Sequence, residues 1–108
     1  MKDSIRRKLE ITSERLEEIS ALLSDPDVIS DQNKFRALSQ EYSQIEPISN
    51  LFNEFKSLNE DLGIAEEMKH DKDVDIRDMG KDEYTIIEEK ISSLLMDIKR
   101  SLIPVDPH

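Results

Sequence analysis

Apolar side chains recur at intervals of three and four residues through most of this chain, which limits it to helices that each present a narrow hydrophobic stripe. In the first segment Ile5, Leu9, Leu16, Ile19 and Leu23 keep that rhythm, with Thr12 filling one place, and the spacing predicts a helix over about residues 2–23. The stripe takes about two positions in seven, the width of a coiled-coil seam.

A second series runs from Phe35 through Leu38, Tyr42, Ile45, Ile48, Phe52, Phe55, Leu58, Leu62 and Ala65 to Met68, and predicts one long helix over roughly residues 31–69. At about 1.5 Å per residue it would reach nearly 60 Å, so an elongated molecule is expected. Pro47 lies inside it and lacks the backbone donor a helix interior uses, which opposes an unbroken helix by about 3 kcal/mol. The seam nevertheless keeps its phase from Ile45 through Ile48 to Phe52, so a kink is expected and not a stop.

Met79, Tyr84, Ile87, Ile91, Leu94, Ile98 and Leu102 resume the spacing and predict a third helix ending at Pro104, with Lys99 and Arg100 suitably placed in its last turn. IPVDPH reads as extended chain. The expected architecture is all-α: an elongated, antiparallel three-helix, coiled-coil-like arrangement with one long kinked central helix.

Two connectors punctuate the series. In SDPDVISD, Asp25 followed by Pro26 suits an N-cap and a first helical position, a short turn of helix fits next, and Ser30 can cap the long helix. HDKDVDIRD, residues 70–78, is the most charged stretch. Asp71, Asp73 and Asp75 alternate there as in the opening of a calcium loop. Ile76, however, stands where such a loop needs glycine, and Asp82 where it needs a bidentate Glu. A solvated, N-capping acidic turn accounts for them better.

Other chemistry finds little material. The chain has no Cys, which removes disulfides and thiolate sites and favours a reducing compartment, the cytoplasm. His70 has no HExxH partner for zinc, and a serine nucleophile would lack its base and oxyanion hole. The pairs Glu17-Glu18, Glu66-Glu67 and Glu88-Glu89 read as solvated helix faces, and Phe35, Tyr42, Phe52 and Phe55 as core. No catalytic, cofactor-binding or metal-ligating residue is assigned. Neither an export signal nor an apolar run long enough to span a bilayer is present.

The net charge is −10, and residues 1–24 cancel internally, so the excess belongs to the remainder. So acidic a chain lacks the basic face that broad DNA or RNA binding requires. Arg6, Arg7 and Lys8 form one local exception, a candidate contact to phosphate or a partner.

MKDSIRRKLE, the pair ER at 14–15, LLSDPDVISDQNKFRALSQEYSQIEPI at 22–48, DLGIAEEM at 61–68 and SLIPVDP at 101–107 together resemble the N-terminal part of bacterial peptide chain release factor 1. The likeness covers nearly all 108 residues. The sister factor, release factor 2, is less similar, because it usually carries Trp after the DPDV-like turn, where Ile29 stands.

The resemblance implies translation termination at UAA or UAG, with the ribosome as partner near its stalk base and the release-factor GTPase as a further partner. The family's Gly-Gly-Gln motif and its codon-reading Pro-x-Thr tripeptide do not occur, so the chain is read as a helical first domain, residues 1–108, of a longer protein. Such a domain would dock and position the whole factor but would not itself hydrolyse peptidyl-tRNA. Arg6, Arg7 and Lys8 are the candidate ribosome contacts. Gly80 and Gly63 depart from the pattern and should loosen their helices, while Ile86 beside Ile87 should widen the apolar stripe. Two rival readings are a structural coiled-coil module that only oligomerises, and an enzyme using Asp71, Asp73 and Asp75 around a divalent metal.

Overall fold

A computed structural model describes residues 1–102. Within them the chain is helical: α1 spans Asp3–Leu22, α2 Pro26–Ile29, α3 Gln32–Met68 and α4 Val74–Ser101. The fold is all-α, as expected, with the short α2 as a fourth helical segment. The anticipated end at Pro104 and the extended tail IPVDPH lie outside the described residues. The chain forms two compact units, Met1–Asn50 and, from Leu51 onward, the rest of the described chain.

In the first unit α1 and the front of α3 run antiparallel, since Ser13 meets Ser49 whereas Arg15 meets the earlier residue Glu41. Leu9 and Ile19 are fully buried, and Ile5, Thr12, Leu16 and Leu23 are half-buried, so the α1 seam is the one its spacing predicts. Thr12 tolerates its seam position by donating its hydroxyl to the Lys8 carbonyl at 2.8 Å.

The turn follows its sequence grammar with one correction. Asp25 caps α2, accepting the Asp27 N–H at 2.9 Å, with Pro26 at the first helical position. Ser30 does not start α3. It ends α2, and its hydroxyl donates to the Asp27 carbonyl at 3.1 Å. Asp31 opens α3 instead by accepting the Lys34 N–H at 3.2 Å, a carboxylate being the stronger acceptor at the positive end of a helix. Val28, at the centre of α2, is buried and anchors the reversal.

The α3 helix continues through Pro47. Pro47 and Ser43, whose carbonyl loses its donor there, are both exposed, so water can satisfy the freed group. Phe35 departs from the expected core: it is 40% exposed, because it lies in the first turn of α3. Ser49 is a buried polar residue, satisfied by the hydroxyl of Ser13 at 3.2 Å.

The second unit pairs the back of α3 with α4, again antiparallel. Gly80 lies against Met68 while Lys90 shares a concavity with Leu58, so ten residues back along α3 match ten forward along α4. Phe52, Phe55 and Ala65 are buried from α3, and Ile87, Leu94 and Ile98 from α4.

The α4 seam starts elsewhere than expected. Met79 is 56% exposed and Gly80 is buried, because Gly80, Tyr84, Ile87, Ile91, Leu94 and Ile98 are the positions that keep the four-three spacing. Gly80 also has a packing role that its helix propensity does not show. A Cβ there would lie 2.6 Å from the Met68 Cβ and 2.9 Å from the Lys69 backbone nitrogen, so the absent side chain lets the two helices approach. One turn on, the Lys69 ammonium sits 3.8 Å above the Tyr84 ring and closes the same corner. Ile86 is 46% exposed and does not widen the buried stripe.

Candidate functional site

Arg6, Arg7 and Lys8 occupy the first two turns of α1 and are all exposed. Ile5 and Leu9 hold the inward face, so the three intervening residues fan across the outward side, about 100° apart. Arg6 Nε lies 3.6 Å from Glu10 Oε1, a weak exposed pair. Among the described residues Arg7 and Lys8 make no ion pair, which leaves two uncommitted cations on one patch.

The N-terminal end of a helix carries partial positive charge, where cations are disfavoured and acidic residues such as Asp3 belong.

The acidic turn is a capping device. Asp71 Oδ1 accepts the Asp73 N–H and Asp73 Oδ1 accepts the Asp75 N–H, each at 2.9 Å, with Asp73 the N-cap of α4. The helix therefore begins at Val74, five residues before the resumption of apolar spacing, and absorbs half of the charged stretch. No cluster of potential metal ligands occurs among the described residues. His70 pairs with Glu66 at 3.3 Å on the surface, and Lys69 Nζ approaches the same carboxylate at 2.8 Å. Hydrogen bonds from Lys69, then His70, hold Glu66 below the usual carboxylate range.

The strongest polar contact was not legible from spacing. Arg15 grips Glu41 with Nε to Oε2 at 2.6 Å and Nη2 to Oε1 at 2.8 Å, bridging α1 and α3 in a two-pronged pair. That hydrogen bond holds Glu41 below its ordinary value and raises Arg15 further above its own. It joins α1 to α3 at one register, from side chains that are both over a third exposed. No described helix is long and apolar enough to cross a membrane.

The described residues give helical surface, helix caps and an ion pair that ties α1 to α3. A family model, the PCRF domain, matches residues 12–108. The chain belongs to the peptide chain release factor family. A release-factor domain acts in translation termination, and its partner is the ribosome. The matched span takes in both turn signatures and all the seams beyond the first turns of α1, whereas Arg6, Arg7 and Lys8 precede it. The basic patch of this release-factor domain consequently rests on its own geometry.

Proposed function

We propose that this chain is the ribosome-docking domain of a release factor of the first type, which in the whole protein terminates translation at UAA and UAG in the cytoplasm. The observation that carries the docking role is the exposed Arg6–Arg7–Lys8 patch, with two cations that make no ion pair among the described residues, in a chain of net charge −10. In an acidic chain such a patch can approach RNA phosphate while the rest of the surface is repelled, which favours one orientation. Docking contributes by positioning: a helical domain held on the stalk base restricts where the rest of the factor can reach. The translational GTPase that recycles the factor is a partner on the same reading. Ile29, in place of the aromatic residue of the sister factor, supports the first type.

The test replaces Arg6, Arg7 and Lys8 with Ala in the full-length factor and measures ribosome binding across a salt series. Binding should weaken, and the logarithmic salt slope should fall by about 1–2, as expected for two or so lost phosphate contacts. Unchanged affinity and slope would refute the docking role. The isolated chain should show no stop-codon-dependent hydrolysis of peptidyl-tRNA, and measurable release by it would overturn the positioning reading.

A further inference from the structure

The pair formed by the back of α3 and α4 leaves one flank open. A furrow there has Leu58, Ile64, Met68, Met79 and Ile87 along its floor and Asp61, Glu83 and Lys90 on its rim. It continues beyond Leu58 and Lys90, which line both stretches, to Leu51 and Leu94 between Glu54 and Asp97. From Leu51 to Met68 it follows α3 for about 25 Å, the length of some five helical turns.

Three properties of the furrow point to one kind of occupant. Ile64 and Met79 are 58% and 56% exposed, although neither belongs to the buried seam, so apolar surface is presented outward. Four carboxylates, Glu54, Asp61, Glu83 and Asp97, line it with one amine, Lys90, and Asp97 lies 3.9 Å from the Arg100 guanidinium, so the rim is acidic on balance. A second copy of this chain would set those carboxylates against their equivalents, and a nucleic acid would be repelled by them. Met68 and Met79 supply unbranched, polarisable side chains that adapt to an incoming surface.

We propose that this furrow is a docking groove for a basic amphipathic helix of a protein partner, whose apolar stripe lies on Ile64 and Met79 and whose flanking Lys and Arg meet the acidic rim. The site is separate in sequence from Arg6–Lys8 and does not depend on their role.

The probe is a synthetic peptide of about 18 residues with Leu on one helical stripe and Lys elsewhere, set against a peptide of the same composition with the Leu scattered. Binding to the whole chain is followed by titration calorimetry and by amide NMR shifts. The striped peptide should bind one to one, with shifts concentrated in residues 51–68 and 79–97. The double variant Ile64→Glu, Met79→Glu should weaken it roughly tenfold.

This variant separates the groove from simple charge attraction, because the two added carboxylates would tighten a merely electrostatic complex. Equal binding of the scattered peptide, unchanged or tighter binding by the double variant, or absence of binding would overturn the proposal. A dimer of the chain dissolved by the same substitutions would also overturn it, giving the groove to a second copy. If circular dichroism shows the variant unfolded, the wild-type NMR map decides: shifts on the furrow sustain the proposal and shifts elsewhere end it.

Discussion

Replacing Gly80 with Ala tests whether close helix approach governs the α3–α4 corner. Gly80 sits in the interior of α4, and no glycine has a positive φ, so its backbone would accept Ala without strain. Helix propensity and the smaller entropy of the unfolded chain then favour Ala by about 1 kcal/mol. Against this, the new Cβ would stand 2.6 Å from the Met68 Cβ and 2.9 Å from two Met68–Lys69 backbone atoms. Ordinary carbon contacts lie at about 3.5–4.0 Å, so the helices must part by roughly 1 Å. The atoms in the way belong to a Cβ and to backbone, which cannot rotate aside.

Overpacking of this kind costs about 1–3 kcal/mol, and separation also disturbs the Lys69–Tyr84 contact directly beside it. The net expectation is destabilisation by about 1–2 kcal/mol. Gly63 is the internal control: nothing lies within 4 Å of its hypothetical Cβ, so Gly63→Ala should stabilise by about 0.5–1 kcal/mol. Urea unfolding followed by circular dichroism measures both. If Gly80→Ala proves as stable as wild type or more so, the corner is not sterically limited and the argument fails.

Leu9→Ala, at a fully buried position, should cost about 2–5 kcal/mol, whereas Phe35→Ala should cost well under half as much, since Phe35 is 40% exposed; similar losses would contradict the burial assignment. Asp73→Ala should remove the α4 cap and lower stability by about 1 kcal/mol in the same urea assay, and Asp73→Asn should retain most of it. Glu41 is held below its ordinary value by the Arg15 hydrogen bond, so the folded state binds its proton less readily than the unfolded state does. Its stabilisation is therefore full above the ordinary glutamate value and is lost as pH falls through the lower, folded value. Glu41→Gln should flatten that acid limb, by a modest amount because both partners are over a third exposed, and an unchanged limb would count against the clamp.

The seams were legible because burial falls on every third or fourth residue, a period any single sequence displays. Caps were legible too, since Asp25 and Asp73 act on neighbours two residues away. Gly80 was misread because counting apolar residues assigns no weight to a missing side chain. The signal was present nonetheless: Met79 to Tyr84 is an off-period step of five, while Gly80 to Tyr84 is four. Phe35 misled for the opposite reason, being in phase but in the first turn of its helix, where the stripe is least covered.

What remained hidden needed two helices side by side. Arg15 and Glu41 are 26 residues apart, Ser13 and Ser49 are 36 apart, and nothing in one helix encodes its offset against another. The furrow belongs to this class, because Ile64 and Met79 each look like an incidental exposed residue until the antiparallel register brings them to one groove. The basic patch is the converse. Its charges were plain in the sequence, but only the structure shows that Arg7 and Lys8 find no acidic partner within the described chain. Patch and groove thus present opposite charge from different parts of the chain, cationic at the start of α1 and acidic along α3 and α4. They should respond oppositely to charge reversal in a partner. Acidic substitutions in a partner helix should weaken groove binding without affecting phosphate contact by the patch, and loss of both together would mean that the two surfaces are not independent.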